Sequence, residues 1–237
     1  MEIGIIEAPT VKELFIGKIA GMIISGQLKP GEKLPSEREL AAQAHISKSA
    51  VHLAMAELER LGFVKTNERQ GIYVCDFTRT GTIETLNLLI NYSKETFLDP
   101  RRIEDMLEMR MAIEGNAISA LCGSMTEEVE ARLEEDIQKS KEIAAGGDIH
   151  ALAVSFFDFH HDICHASGNF IIPLLFNSFR HVTLTYWELA IPSLGKERCI
   201  ELMHGLVNVL KERDAEKSRI FLKEEFDMFL SLAKQFQ

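Results

Sequence analysis

Ser36-Glu37-Arg38-Glu39-Leu40-Ala41-Ala42-Gln43-Ala44-His45-Ile46-Ser47-Lys48-Ser49-Ala50-Val51-His52 reads as two short helices joined by a tight turn, and this decides the fold of the first part of the chain. Ser36 and Glu39 have the spacing of a capping box, in which the hydroxyl and the carboxylate each satisfy an N–H group that a helix start leaves unpaired. A short helix therefore runs from Ser36 to about Gln43. Ser47 caps the next helix, where Val51, Ala54, Met55, Leu58 and Leu61 fall on one face. Upstream, Thr10-Val11-Lys12-Glu13 is another capping box. Behind it Val11, Leu14, Phe15, Ile19, Met22 and Ile23 recur at helical spacing and predict one buried stripe, and Gly26 suits the left-handed position past the helix end. Pro30-Gly31 is a turn. Downstream, Phe63–Thr66 and Ile72–Cys75 are strand-like and flank Asn67-Glu68-Arg69-Gln70-Gly71. Three helices followed by a hairpin make a winged helix-turn-helix over residues 1–76.

The whole chain has 237 residues, too long for one ordinary domain and about right for two. Its residues are 46% apolar and 26% charged, which excludes disordered and low-complexity classes. A boundary falls near Asp76–Gly81, with Thr78-Arg79-Thr80-Gly81 as linker, and residues 77–237 form the second domain. From Thr82 onward the pattern predicts about seven helices. One opens at Asp99-Pro100, with proline at the first helical position, runs to Leu121 and stops at Gly123. Others span 126–146, 148–167, 170–189, 196–212 and 214–235. The expected fold class is mainly α: a winged helix-turn-helix with a small β-hairpin wing, then an all-helical bundle of about six to seven helices. No apolar run approaches the ~20 residues a membrane helix needs, which argues against a membrane partner. The longest, Ile171–Phe176, is interrupted by Pro173. The first residues, Met1–Glu7, lack the basic region of a secretory signal. Cys75, Cys122, Cys164 and Cys199 form no Cys-x-x-Cys pair, which disfavours a disulfide framework or cysteine zinc site and suits the cytoplasm.

A net charge of −10 seems wrong for a nucleic-acid binder until it is divided. Residues 1–76 carry 9 basic against 10 acidic side chains, and residues 77–237 carry 17 against 26. Between Leu40 and Ala56 there is no acidic residue, while His45, Lys48 and His52 lie inside. At helical spacing Lys48, Ser49 and His52 share an arc of about 100°, away from the apolar stripe. Recognition helices present such first turns to the major groove, and the Ser47-capped helix start favours a phosphate. The competing reading is a solvated face that merely lacks acids.

Gln27-Leu28-Lys29-Pro30-Gly31-Glu32-Lys33-Leu34-Pro35-Ser36-Glu37-Arg38-Glu39-Leu40-Ala41 resembles the signature of GntR-superfamily regulators. Ile46–His52 and Leu58-Glu59-Arg60-Leu61-Gly62-Phe63-Val64 continue the resemblance in register, over residues 10–75. It implies a double-stranded DNA operator as partner, touched by Arg38 of the Ser-Glu-Arg motif that Ser36 opens. It also implies contacts from Ser47, Lys48, Ser49 and His52 on the recognition helix, and from Arg69, Gln70 and Gly71 at the wing tip. Lys48 and His52 stand where the family usually has arginine, and lysine lacks the bidentate guanidinium fork, so the operator need not be the usual one. Arg69 stands where a first wing glycine is common.

The second domain resembles, more loosely, the FCD-type ligand-sensing domain of the FadR-like branch. Met109-Arg110-Met111-Ala112-Ile113-Glu114, Phe159-His160 with Ala166-Ser167-Gly168-Asn169, and Leu206 with Asp214-Ala215 carry the resemblance. It implies a homodimer and a small organic acid or acyl-type effector, often beside a metal held by one Asp and three His. Carried over residue by residue, the metal positions fall on Phe156, His160, Met203 and Glu225, so only His160 survives. A zinc or manganese ion needs three or four converging ligands, so no cofactor is required. His160, His204 and Glu225 form a rescue set for a residual metal site. Arg110, an ionic side chain in a Met/Ile-rich helix, wants a carboxylate: an anionic effector, or Glu114 one turn on. Asn177, Arg180, Tyr186 and Trp187 are pocket-lining candidates whose alternative is ordinary packing, and His160 adds a hydrogen-bonding group. The expectation is a bacterial transcription regulator and not an enzyme. The alternatives are a metal-dependent hydrolase, suggested by the His161-Asp162 doublet, and an effector-independent DNA-binding protein.

Overall fold

The computed structural model describes residues 9–92 and 100–234; Met1–Glu7, Asp99 and residue 235, used above, lie outside them. The chain divides into two compact units, Met1–Lys94 and Glu95–Gln237.

In the first unit α1 (Val11–Ile24), α2 (Glu37–Ala44) and α3 (Lys48–Arg60) precede a hairpin of β1 (Val64–Asn67) and β2 (Gly71–Val74). Both capping boxes form: Thr10 and Ser36 each exchange hydrogen bonds with the glutamate three residues on. Ser47 Oγ accepts from the N–H of Ala50 at 3.2 Å. The antiparallel register pairs Val64 with Val74 and Asn67 with Gly71. Residues 32–34 line the other edge of β2, with the Leu34 N–H donating to the Ile72 carbonyl at 2.9 Å. The α3 stripe, Val51, Ala54, Met55, Leu58 and Leu61, is buried. The α1 stripe is placed differently: Phe15, Ile16, Ile19, Ala20 and Ile23 are buried, while Val11 and Leu14 are exposed. This helix is apolar on more than one side, so period alone does not select its inward face.

The predicted linker is instead a short helix, α4 (Phe77–Thr80), followed by α5 (Ile83–Tyr92). Both are fastened to the end of α3. Thr80 Oγ1 donates to the Gly62 carbonyl and Thr85 Oγ1 to the Leu61 carbonyl, each at 2.6 Å. These anchors explain why the first unit runs to Lys94 while the sequence boundary falls at residue 76.

The second unit holds α6 (Pro100–Ser124), α7 (Glu127–Gly146), α8 (Ile149–Ala166), α9 (Ile171–Ser178), α10 (Arg180–Leu194), α11 (Lys196–Lys211) and α12 (Ala215–Ala233). Helix α6 passes through Gly123 to Ser124. The helix predicted over 170–189 is two, broken at Phe179, and the second continues through Pro192. Nothing in Asn177-Ser178-Phe179 is a strong breaker, which is why periodicity reads straight across it. Around α6 and α8 a core of Ile118, Leu121, Leu152, Phe156, Phe159 and Leu206 is closed to solvent. Among the described residues there are 12 helices and one two-stranded sheet, and no helix is long and apolar enough to cross a membrane.

Candidate DNA interface and sensor core

The candidate DNA interface is built on α2, α3 and the hairpin. Arg38 and Lys48 are exposed, and their side chains make no hydrogen bond or ion pair with a described residue. Ser36 and Ser47 spend their hydroxyls on capping: Ser36 Oγ donates to Glu39 at 2.7 Å, and Ser47 Oγ lies 3.1 Å from Ser49 Oγ. His52 is exposed but not idle. Its Nδ1 lies 2.8 Å from Glu37 Oε1, joining α3 to α2 across the helix-turn-helix. Glu37 is missed by sequence reasoning, because nothing local pairs residues fifteen apart. The turn between the helices puts His45 at φ 54, a left-handed conformation that costs a residue with a Cβ.

At the hairpin tip the Gln70 N–H donates to the Asn67 carbonyl at 3.0 Å, closing a turn over Glu68 and Arg69. Arg69 has φ 62 and Gly71 φ 112. Arg69 therefore occupies the position where a turn of this kind favours glycine, so the departure noted in the sequence is a departure in backbone preference too. A Cβ on Gly71 would come within 2.8 Å of Lys33 Cε, the movable end of a flexible side chain, so the position asks for glycine through its φ and not through space. Arg69 and Gln70 are exposed.

In the second unit the structure gathers four ionisable side chains in the core. Arg110, Glu114, His160 and Glu225 are each no more than 3% exposed. Arg110 Nε donates to Glu114 Oε1 at 2.6 Å. His160 sits between two carboxylates: its Nδ1 is 2.8 Å from Glu114 Oε2 and its Nε2 is 3.8 Å from Glu225 Oε1. The network ties α6, α8 and α12 together. Burial pushes the Glu114 carboxyl up, but Arg110 and His160 outweigh it and hold it below the ordinary value. Burial wins at Glu225, which is raised. The Arg110 guanidinium lies 4.7 Å from the ring centre of Phe226 and 5.8 Å from that of Phe176. The pair with Glu114 takes one edge of the fork, and Arg110 Nη2 remains buried without a hydrogen-bond partner. Thr183 Oγ1 and Trp187 Nε1, one turn apart on α10, are likewise buried and unpartnered. The Trp187 ring stands 6.2 Å from that of His160.

The other predicted residues lie elsewhere. Arg180 pairs with Asp158 at 3.1 Å and stacks over Phe157, and Asn177 is exposed. Tyr186 packs against the main core, where burial raises its hydroxyl. His204, over a third exposed, turns toward Glu134 at 3.9 Å, so the rescue set of His160, His204 and Glu225 is not brought together. Nor do the residues present suit a metal. The two nitrogens of an imidazole point in opposite directions, so Glu114 and Glu225 cannot both join His160 on one ion. Among the described residues no three His, Cys, Asp or Glu side chains converge to hold one. The His161-Asp162 doublet also dissolves into packing. Asp162 is forked by Arg132 at 2.7 and 3.0 Å, and His161 stacks on Phe157.

Comparison with known proteins agrees with this architecture. The family "Bacterial regulatory proteins, gntR family" matches residues 16–74, and the FCD domain matches residues 105–227. The chain is 30% identical to the HTH-type transcriptional regulator LutR of Bacillus subtilis, over 66% of this chain and 68% of that one. It is 25% identical to the HTH-type transcriptional repressor NanR of Salmonella newport, over 88% and 79%. In fold it is similar to Lar, which controls the expression of the Listeria monocytogenes agr system. That likeness has TM-score 0.63 at 18% identity and covers 98% of this chain and 100% of that one.

Proposed function

The chain belongs to the gntR family of bacterial regulatory proteins and carries an FCD domain, and from that premise we propose that two copies of it read a two-fold operator under the control of a small anionic organic effector held in the helical unit. It is a transcriptional regulator and not an enzyme. Arg38, Lys48 and the wing tip meet the duplex, with α3 in the major groove.

The observation that carries the sensing half is unspent hydrogen-bonding capacity: Arg110 Nη2, Thr183 Oγ1 and Trp187 Nε1 are all buried without partners. A buried polar group left unmade costs about 1–3 kcal/mol, so a bound molecule that brings acceptors would stabilise this core. Two of the three atoms are N–H donors and one belongs to a guanidinium, which supports a carboxylate or acyl oxygen as the recognised group. Glu114 already occupies Arg110 Nε, so the effector meets the remaining edge of the guanidinium and not the whole fork. The opposed carboxylates around His160 support binding without a metal ion.

Native mass spectrometry of the full chain, followed by operator binding before and after stripping small molecules, tests this. Arg110→Ala would leave the buried Glu114 carboxylate with His160 alone, so the informative variant is the double Arg110→Gln, Glu114→Gln, which keeps a hydrogen-bonding pair and removes both charges. The reading predicts an acidic molecule on each chain, a tenfold or larger change in operator affinity when it is removed, and a double variant that binds DNA without carrying it. Identical affinity in emptied and loaded protein contradicts the sensing claim. One tightly held divalent ion per chain contradicts the metal-free claim.

A further inference from the structure

The helix α9 is apolar on both sides. Inward, Phe176 is 1% exposed and stacks on Phe157 at 4.8 Å. Outward, Phe170 is 79%, Ile171 53%, Leu174 52% and Leu175 39% exposed. Four of the nine large apolar side chains exposed among the described residues therefore fall within six positions. Phe170 and Leu174 are one turn apart, as are Ile171 and Leu175, so they form two parallel ridges. Beside them lies a groove lined by His161, His165, Asn169 and Asn177. From Gly168 to Phe179 no residue is ionisable.

We propose that this outward face of α9 packs against the same face of a second copy and forms the two-fold contact of the dimer. Three properties select that occupant. The four side chains form one contiguous apolar patch, of the kind that on a lone protein often marks a contact surface, and they supply an apolar centre for an interface in which each partner hides ~800 Å². The chain carries a net charge of −10, so two copies repel one another across most of their surfaces. They meet without like-charge contact along ridges that carry no acidic or basic residue from Gly168 to Phe179, and such ridges hold nothing that would recognise DNA or a charged peptide. Parallel ridges one turn apart are also self-complementary, because a two-fold axis lays the ridges of one helix into the grooves of its mate. The inference rests on the dimer reading above and adds where the contact is.

Sedimentation of the full chain, compared with Phe170→Asp and Leu174→Glu, tests it. These side chains are exposed, so the variants keep the wild-type helical circular dichroism. The expected result is a dimeric wild type and variants whose dimer dissociation constant rises a hundredfold or more, with Phe170→Leu remaining dimeric. Leu174→Cys then crosslinks to itself under a short bismaleimide, above the background of the unsubstituted chain. Variants as dimeric as the wild type, or a cysteine that does not self-crosslink, overturn the assignment of the surface and leave the dimer reading standing. A wild type that is monomeric overturns both.

Discussion

His52 on α3 holds Glu37 on α2 at 2.8 Å, so the side chain expected to face the operator is also a strut between the two helices that present it. The pair is substantially exposed, with 68% of the histidine side chain open to solvent. Exposed pairs contribute little stability, about 0–1 kcal/mol. Its value is in orientation, and Glu37→Gln should therefore cost operator affinity severalfold while leaving the melting temperature nearly unchanged. Fluorescence anisotropy on operator DNA together with a thermal melt checks both halves.

Arg38→Ala and Lys48→Ala should each weaken operator binding with a stability change within about 0.5 kcal/mol, since both side chains are exposed and pair with no described residue. A lost phosphate contact also flattens the slope of log affinity against log salt by about one. Titrations at three salt concentrations would count against the assigned face if both variants kept the wild-type affinity and slope.

Arg69 gives a prediction in which stability and affinity move oppositely. Its φ of 62 costs a residue with a Cβ about 1–2 kcal/mol, which glycine does not incur. Arg69→Gly should raise the stability of the first unit by about 1 kcal/mol and lower operator affinity. A variant less stable than the wild type in urea unfolding would show that the arginine side chain stabilises the turn by more than its backbone strain costs.

Asp136 sets a pH dependence. Burial, then the neighbouring Asp162 carboxylate, raises its pKa to about 7. The folded protein thus holds a proton there that the unfolded chain, with an ordinary carboxyl, releases. Stability from this group is full below about pH 4 and is lost as pH rises toward 7. Asp136→Asn should accordingly flatten the fall in melting temperature between pH 5 and 8. A difference curve with no slope in that window would refute the assignment.

How much of this was legible beforehand depends on the range of the interaction. The winged helix was readable because its signals are local: two capping boxes, a Ser47 cap, the α3 stripe and the alternation flanking Asn67–Gly71. The two domain families were readable for the same reason, as motifs in register. What escaped were contacts between distant residues. Thr80 and Thr85 bonding back to Gly62 and Leu61 move the unit boundary to Lys94, and no pattern within residues 76–85 announces that. In the sensor, the apolar run around Arg110 announces the need for a carboxylate, and helical spacing puts Glu114 within reach one turn on. That Glu225 and His160 join them from two other helices is a property of packing alone. Asn177 and Arg180 fall on separate helices because of a break at Phe179 that carries no sequence mark, so Asn177 lines an exposed groove while Arg180 pairs with Asp158.

In the proposed function two copies present two reading heads to one two-fold site. Hydroxyl-radical footprinting of the full chain, on DNA selected from a random library by the protein itself, tests it most directly. The expected result is a palindrome protected over two half-sites about 10 base pairs apart, or a multiple of that, with protection of both lost together in Lys48→Ala. Protection of a single half-site by one copy would contradict it.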